Sequence, residues 1–592
     1  MDKWIKYKGL FFWLTVYCVL FAFLQVYSEF HFYFIEQNQL FQNSWSYIAE
    51  HLLQPGGCAF VGAEFLVQFF LVPFAGAGIT AALLTGAGAL TYALVKRIVP
   101  LVANRMLVLC LLPVLGLLFI QFDFNYLAYG TVAYLLMLTA LYLVLSIQAF
   151  TIRFIGHLLV TGLLFYLAGP VFVLYAVLTV VYEMLYISPR HYFTLLVLFE
   201  AMMIGILSVY LGMFGEYCLV FLPDGYYNYN IGLVPTQEIY FAWWSLLFIF
   251  ILPYILQKRK AISRKRLLIE TAVLLILIAF ICKSGVSGYG DKKSALMKEL
   301  DYYCRTEQWD KILERSQGSL TNYLYLCYAN LALTNMGELG DKIFMYDQRG
   351  SQGLMVGWNK TTSVSVLLSD IYFAINDMAP AQEMAFEANV SAISAGNPRM
   401  VKRLVETNLI YGEYPVAEKY ISILEHTFAY KDWASAQRRF LYQDAEVEKD
   451  SLLGNKRRSL VQSRLLALVE GLDADLQQIA EVNPSATSSI EYCGALYLMS
   501  KDMTPFQAMV ERYFGTPVLP VLPRSFQEAV ILLSENNPDI WKHYRLSEVV
   551  IQRFLEFKKQ FIDANRSGNS GALKGLLQRS YGDTFWFYFT FK

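Results

Sequence analysis

Between residues 9 and 283 the chain repeats one pattern, a stretch of about twenty apolar residues followed by a short polar break. An uncharged run of that length must fill a core or cross a bilayer, and so many in succession point to the bilayer. The stretches lie at 9–28, 74–96, 103–120, 127–148, 192–212, 239–257 and 267–283, with a longer one at 154–186. The longer run contains Gly169-Pro170, a pair that breaks a helix, so two crossings are expected there and nine in all. The first stretch has no small-residue cleavage site after it and reads as a retained helix.

Lys and Arg fall on alternate breaks. Lys3, Lys6 and Lys8 precede the first stretch, and Lys96, Arg97 and Arg105 separate the second from the third. Arg153 follows the fourth, Arg190 the sixth, and a run from Lys258 to Arg266 separates the eighth from the ninth. The other breaks, near 28–58, 120–126 and 213–238, contain neither residue. Basic residues stay on the cytoplasmic side, so the N-terminus is expected in the cytosol and, after nine crossings, residues 284–592 on the far side. In a bacterium this is a multi-pass protein of the inner membrane with a periplasmic C-terminal domain. The formal net charge is zero and no basic stripe lies outside the membrane flanks, which excludes a nucleic-acid partner.

The break at 26–57 is acidic, aromatic and free of Lys and Arg. Phe41, Trp45, Ile48 and Leu52 recur at helical spacing, predicting an amphipathic helix near 36–53 that lies in the outer interface. Pro55-Gly56-Gly57 then turns the chain back. Residues 59–72 read as a second interfacial or re-entrant helix, broken from the span at 74–96 by Pro73, Gly76 and Gly78.

Glu29, Glu36, Glu50, Glu64, Asp123, Glu216, Asp224 and Glu238 all face the side without basic residues. A carboxylate at membrane depth is costly, so Glu64 is expected to be hydrogen-bonded, protonated or metal-bound. Such groups suit a general base for a hydroxyl, or oxygen ligands for Mg²⁺ or Mn²⁺, or simply solvated loop acids. Glu29 and Glu36 stand out because they border a loop tied to the membrane at both ends. A second group, Asp224, Tyr226, Tyr227, Asn228, Tyr229 and Asn230 with Glu238, carries rings and amides that stack on and bond to a sugar; the same residues also serve as an interface belt. His157 reads as an interior histidine, and Glu183 with Arg190, and Glu270 with Arg266, as local ion pairs. Of eight cysteines, Cys58 and Cys218 lie in breaks on the same side and are able to pair; no CxxC or His/Cys cluster indicates zinc.

Residues 284–592 have the composition of a water-soluble α-helical domain. A helix–turn–helix pattern recurs, with Trp309, Leu339, Met378, Tyr414 and, after an insertion, Met503 at the turns. This resembles tetratricopeptide-type hairpins in layout, although the full repeat consensus is not met. The aromatic end, YGDTFWFYFTFK, is expected to pack on the last hairpins or on the outer surface of the membrane domain. The fold class is therefore all-α, a polytopic domain at 1–283 followed by a helical repeat domain at 284–592.

One helix, an acidic outer loop with an interface helix, many spans and then an outer domain is an order similar to the type C membrane glycosyltransferases, which use polyprenyl-phosphate sugars. The resemblance implies that Glu29 or Glu36 is the catalytic base or a metal ligand. The class has aspartate where glutamates stand here, and with no Lys or Arg in the outer loops the lipid phosphate falls to a metal or to an arginine of the C-terminal half. EQNQLF, QPGG, FLVQFFLVPFAGA and YGDTFWFYF also resemble a set of multi-pass proteins of Bacteroidota with no known activity. The alternative is a membrane-anchored scaffold whose repeats bind a periplasmic protein.

Overall fold

A computed structural model describes residues 2–228, 237–258, 264–320, 322–461, 471–535, 537–566 and 570–592. Tyr229, Asn230, Arg259 and Lys260 lie outside the described residues. The fold is all-α, and the chain forms two compact units: Met1–Ala295 with His426–Ala429, and Leu296–Glu425 with Tyr430–Lys592.

The first unit contains helices α1 (Asp2–Tyr27), α2 (Glu29–Gln37), α3 (Trp45–Leu52), α4 (Gly57–Val67), α5 (Ala75–Ile98), α6 (Ala103–Met106) and α7 (Leu111–Ile120). They are followed by α8 (Tyr129–Val144), α9 (Phe150–Ala168), α10 (Val171–Tyr182), α11 (Leu195–Tyr210), α12 (Tyr217–Phe221), α13 (Gln237–Gln257) and α14 (Arg264–Tyr289). Among the described residues seven helical segments are long and apolar enough to cross a membrane: Gly9–Tyr27, Ala75–Ile98, Ala103–Ile120, Phe150–Ala168, Tyr192–Tyr210, Gln237–Gln257 and Lys265–Tyr289. The remaining two expected crossings form shorter apolar helices, Tyr129–Val144 and Val171–Ile187, near the lower length limit for a span.

The expected breaks are present. Gly169 has φ of +64° and separates α9 from α10, with Pro170 opening the second helix, where its fixed φ and missing N–H are tolerated. Phe74, at φ +68°, precedes α5, so α4 is a separate short helix. The glycines allow close packing: a Cβ on Gly76 would lie 2.6 Å from Phe32, and one on Gly88 2.5 Å from Trp13. The amphipathic reading of 36–53 needs correction. Helix α3 begins only at Trp45, with Ser44 capping the Tyr47 N–H, so Phe41 belongs to the preceding turn. Phe41 is buried against Tyr47 and Phe65, whereas Trp45 is 77 % exposed, so the two do not share a face.

The second unit is built from helical hairpins with one recurrent turn. Trp309, Leu339, Met378, Tyr414 and Met503 are each the first residue of a second helix. Two residues before each stands a residue with positive φ: Glu307, Gly337, Asn376, Gly412 and Lys501. Each turn makes the same two bonds closing the first helix, for example Gly337 N to Thr334 O and Glu338 N to Leu333 O. Lys501 N to Leu498 O and Asp502 N to Tyr497 O repeat them in the last hairpin. This is a Schellman cap, which satisfies carbonyls that the helix end leaves unpaired. The first hairpins are joined inside by a buried ion network in which Arg399 bonds Asp301 at 2.8 Å and Asp370 at 2.5 Å, and Arg403 bonds Asp370 at 3.1 Å.

After the insertion the chain folds back across these hairpins. Tyr492 Oη donates to Leu354 O at 2.7 Å, and the Asn376 amide reaches Ser488 and Ser489. The aromatic C-terminus packs on the last hairpins: Trp586 is fully buried, its Nε1–H donates to Glu528 O at 2.7 Å, and Tyr588 donates to Met499 O at 2.7 Å. Burial pushes the Glu528 carboxyl up to about 7 and the Lys456 ammonium down to about 7.

Candidate functional site

Helix α2 is rich in aromatic and apolar residues, Phe30, Phe32, Phe34 and Ile35, beside a polar face, and all its residues from His31 to Gln37 are buried. The run His31–Phe41 is buried throughout. Glu29 and Glu36 share one face of α2, at i and i+7, about 10 Å apart along its axis. Glu29 is half-buried and accepts a long contact from Tyr33 Oη at 3.5 Å. Glu36 is 3 % exposed. It sits at the C-terminal end of α2, where the helix dipole disfavours a negative charge, so burial and dipole both raise its energy.

Pro55 and Gly56 carry the chain from α3 into α4. Gly56 has φ of +79° and its N–H donates to Tyr166 O at 2.8 Å. Helix α4 then presents Glu64, 1 % exposed, to the interior. Two phenols hold it: Tyr47 Oη donates to Oε2 at 2.5 Å and Tyr129 Oη to Oε1 at 2.8 Å. Glu64 is hydrogen-bonded, as one of its expected fates required. A continuous aromatic wall backs the clasp, running Tyr47–His51 at 4.3 Å, His51–Phe60 at 4.6 Å and nearly parallel, and Phe60–Tyr129 at 4.8 Å. His51 Nδ1 lies 2.8 Å from Tyr47 O and fixes that ring. The result is a buried carboxyl group held by two phenols against an aromatic wall, a low-dielectric setting in which hydrogen bonds to it are strengthened.

The second expected group folds against neighbouring turns. Asp224, 4 % exposed, accepts from Tyr240 Oη at 2.6 Å. Tyr226 lies against two glycine turns: a Cβ on Gly56 would stand 1.9 Å from its hydroxyl and one on Gly169 2.3 Å from its ring. Its Oη donates to Pro55 O at 3.2 Å. Tyr227 is fully buried against Gly130, and Asn228 donates to Asp123 Oδ2 at 2.5 Å. Burial pushes both tyrosine hydroxyls up. Glu238 is half-buried in the first turn of α13. The structure thus joins Glu64 to the first loop through Tyr47, and joins 224–228 to the turns at 55–57, 123–131 and 169. Among the described residues no three His, Cys, Asp or Glu come together as a metal site, and Cys58 and Cys218 are free thiols.

Sequence reasoning missed a second polar cluster. Glu183 pairs with Arg153 of α9 at 2.5 and 3.1 Å and with His191 at 2.9 Å, rather than with Arg190. His157, fully buried, places Nδ1 2.9 Å from Tyr175 Oη and Nε2 3.8 Å from Glu183. These residues come from α9, α10, a π-helical turn at Glu183–Ile187 and the loop residue His191, a combination without a local sequence signal. Glu270 contacts Arg266 as expected, at 3.5 Å, and also Arg105 at 2.9 Å.

No curated protein and no solved structure matches the chain. The match that is found runs over residues 3–592, and the chain belongs to a family of unknown function, DUF6057.

Proposed function

We propose that this membrane protein is an enzyme similar to the type C glycosyltransferases, moving a sugar from a polyprenyl-phosphate donor at the periplasmic face. The reading rests on one observation: two carboxylates near the start of the chain, Glu36 of α2 and Glu64 of α4, are folded inward, while Glu29 is half-buried and Glu50 is exposed. Glu36 and Glu64 are 3 % and 1 % exposed, and Glu64 is clasped by Tyr47 and Tyr129. A loop that served only to anchor a scaffold has no use for buried carboxylates, which cost several kcal/mol each in desolvation. In this reading Glu36, with Glu29 on the same helix face, supplies the base for the acceptor hydroxyl, and Glu64 with its phenols orients the sugar. Asp224, Asn228 and Glu238 form the polar border of the same end, and Tyr226 and Tyr227 hold it in shape.

The test is separate replacement of Glu29, Glu36 and Glu64 by Gln in cells. Glu36→Gln is expected to abolish one class of lipid-linked or envelope glycan, by about 100-fold for loss of a general base, at unchanged protein level. Unchanged glycans in all three variants at normal expression would overturn the enzyme. The scaffold is the second reading. It is favoured by a cavity of about 450 Å³ in the helical hairpins, bordered by Glu511, Asp539, His543 and Tyr544 over an apolar floor of Val510 and Val530.

A further inference from the structure

A second cavity, of about 300 Å³, lies where α6 and α7 meet α13 and α14. Its walls are Leu109, Leu256, Val273 and Leu274, and its polar end is Arg105 with Glu270. Three features of that polar end bear on what fits it. The Arg105 guanidinium gives one Nη2–H to Glu270, but its Nε is buried and has no hydrogen-bond partner among the described residues. A buried donor of a charged group left unmade is expensive, so it marks a place where an acceptor belongs. The surroundings are cationic: Lys258 follows two residues beyond Leu256, and Lys265 and Arg266 stand in the first turn of α14, while Glu270 is the one carboxylate among the described residues that line the cavity. Finally, only 6 % of the residues in the apolar window of Lys265–Tyr289 are buried, so this helix presents its apolar surface outward, as a lipid-facing helix would.

We propose that this groove is a binding site for an anionic phospholipid, with an acyl chain along Leu109, Leu256, Val273 and Leu274 and the phosphate on Arg105 and Arg266. An apolar slot capped by a guanidinium matches that amphiphile: the walls take the chain, and the Nε–H and Nη–H fork suits phosphate oxygens. Zwitterionic lipids offer the same chain without net charge, so the surplus cations discriminate between them. The site lies at the basic end of the unit and is independent of the glycosyl-transfer reading, which concerns the first loop.

The experiment is native mass spectrometry of the full chain purified in mild detergent, then exchanged against mixed phosphatidylglycerol and phosphatidylcholine micelles. The wild type is expected to retain phosphatidylglycerol at least 10-fold over phosphatidylcholine. Arg105→Gln and Val273→Trp, the first removing the cation and the second filling the slot with the ion pair intact, are each expected to lower retention about 10-fold. Glu270→Gln, which frees the guanidinium, is expected to raise it. Arg190→Gln, an exposed basic residue of another loop, serves as the control and keeps wild-type retention. Equal retention of the two lipids, or wild-type retention by Val273→Trp, overturns the proposal. So does displacement of the lipid by millimolar inorganic phosphate alone, since the site would then hold a free anion and not a lipid.

Discussion

Glu64 is the residue whose setting says most about this chain. A lone carboxylate among Ala59, Ala63 and Val67 is tolerated because two phenols, one from the first loop and one from α8, converge on its two oxygens. Tyr47→Phe and Tyr129→Phe each remove a bond to a buried charge and are expected to cost about 1.5–3 kcal/mol. In a Glu64→Leu background the same replacements should cost much less, because no charge is left unpaired. Thermal unfolding of the wild type and these five variants in detergent checks this; equal cost in both backgrounds would mean the phenols act by packing alone. The sequence showed that Glu64 needed a partner, since its apolar neighbours leave no other outcome. It did not show which partner, because Tyr129 is far away along the chain and its approach depends on how α4 packs on α8. The same applies to Glu183, whose nearest basic residue in sequence, Arg190, is not its partner; Arg153 is, one helix away.

Among elements, the hairpin turn of the second unit recurs five times with one geometry, and its residues differ in how well they suit it. Gly337 and Gly412 adopt positive φ without cost, whereas Glu307 and Lys501 carry side chains there. Glu307→Gly and Lys501→Gly are expected to stabilise the unit by about 1 kcal/mol each, and Gly337→Ala to destabilise it by a similar amount. Asn376→Gly should break the pattern and destabilise, because the Asn376 side chain also binds Ser488, Ser489 and Lys456. Local hydrogen exchange across each turn reads these differences. The turn positions were legible from sequence because aromatic and apolar residues reopen each helix at similar spacing. Where α3 starts was not, because helical spacing alone does not reveal that Ser44 caps the helix after Phe41.

At the scale of the molecule, the break at Gly169 decides which side of the membrane the second unit occupies. In the topology we propose, α9 and α10 are separate crossings and the count is odd, so the Lys and Arg distribution would put residues 296–592 outside the cytosol. A C-terminal alkaline phosphatase fusion is expected to be active and a C-terminal green fluorescent protein fusion dark. The reverse pattern would place the hairpins in the cytosol and remove the first-loop carboxylates from the periplasmic face.

The amino-acid sequence alone determined the all-α class, the long apolar stretches and the hairpin turns before Trp309, Leu339, Met378, Tyr414 and Met503. Those follow from composition and periodicity, which act over a few turns of chain. The tertiary structure decided what the polar residues meet: phenols around Glu64, Arg153 on Glu183, glycine turns around Tyr226, and an uncapped guanidinium beside an apolar slot. Such pairings join residues tens to hundreds of positions apart, and only the packing of one helix on another brings them within the few ångströms over which hydrogen bonds and ion pairs act.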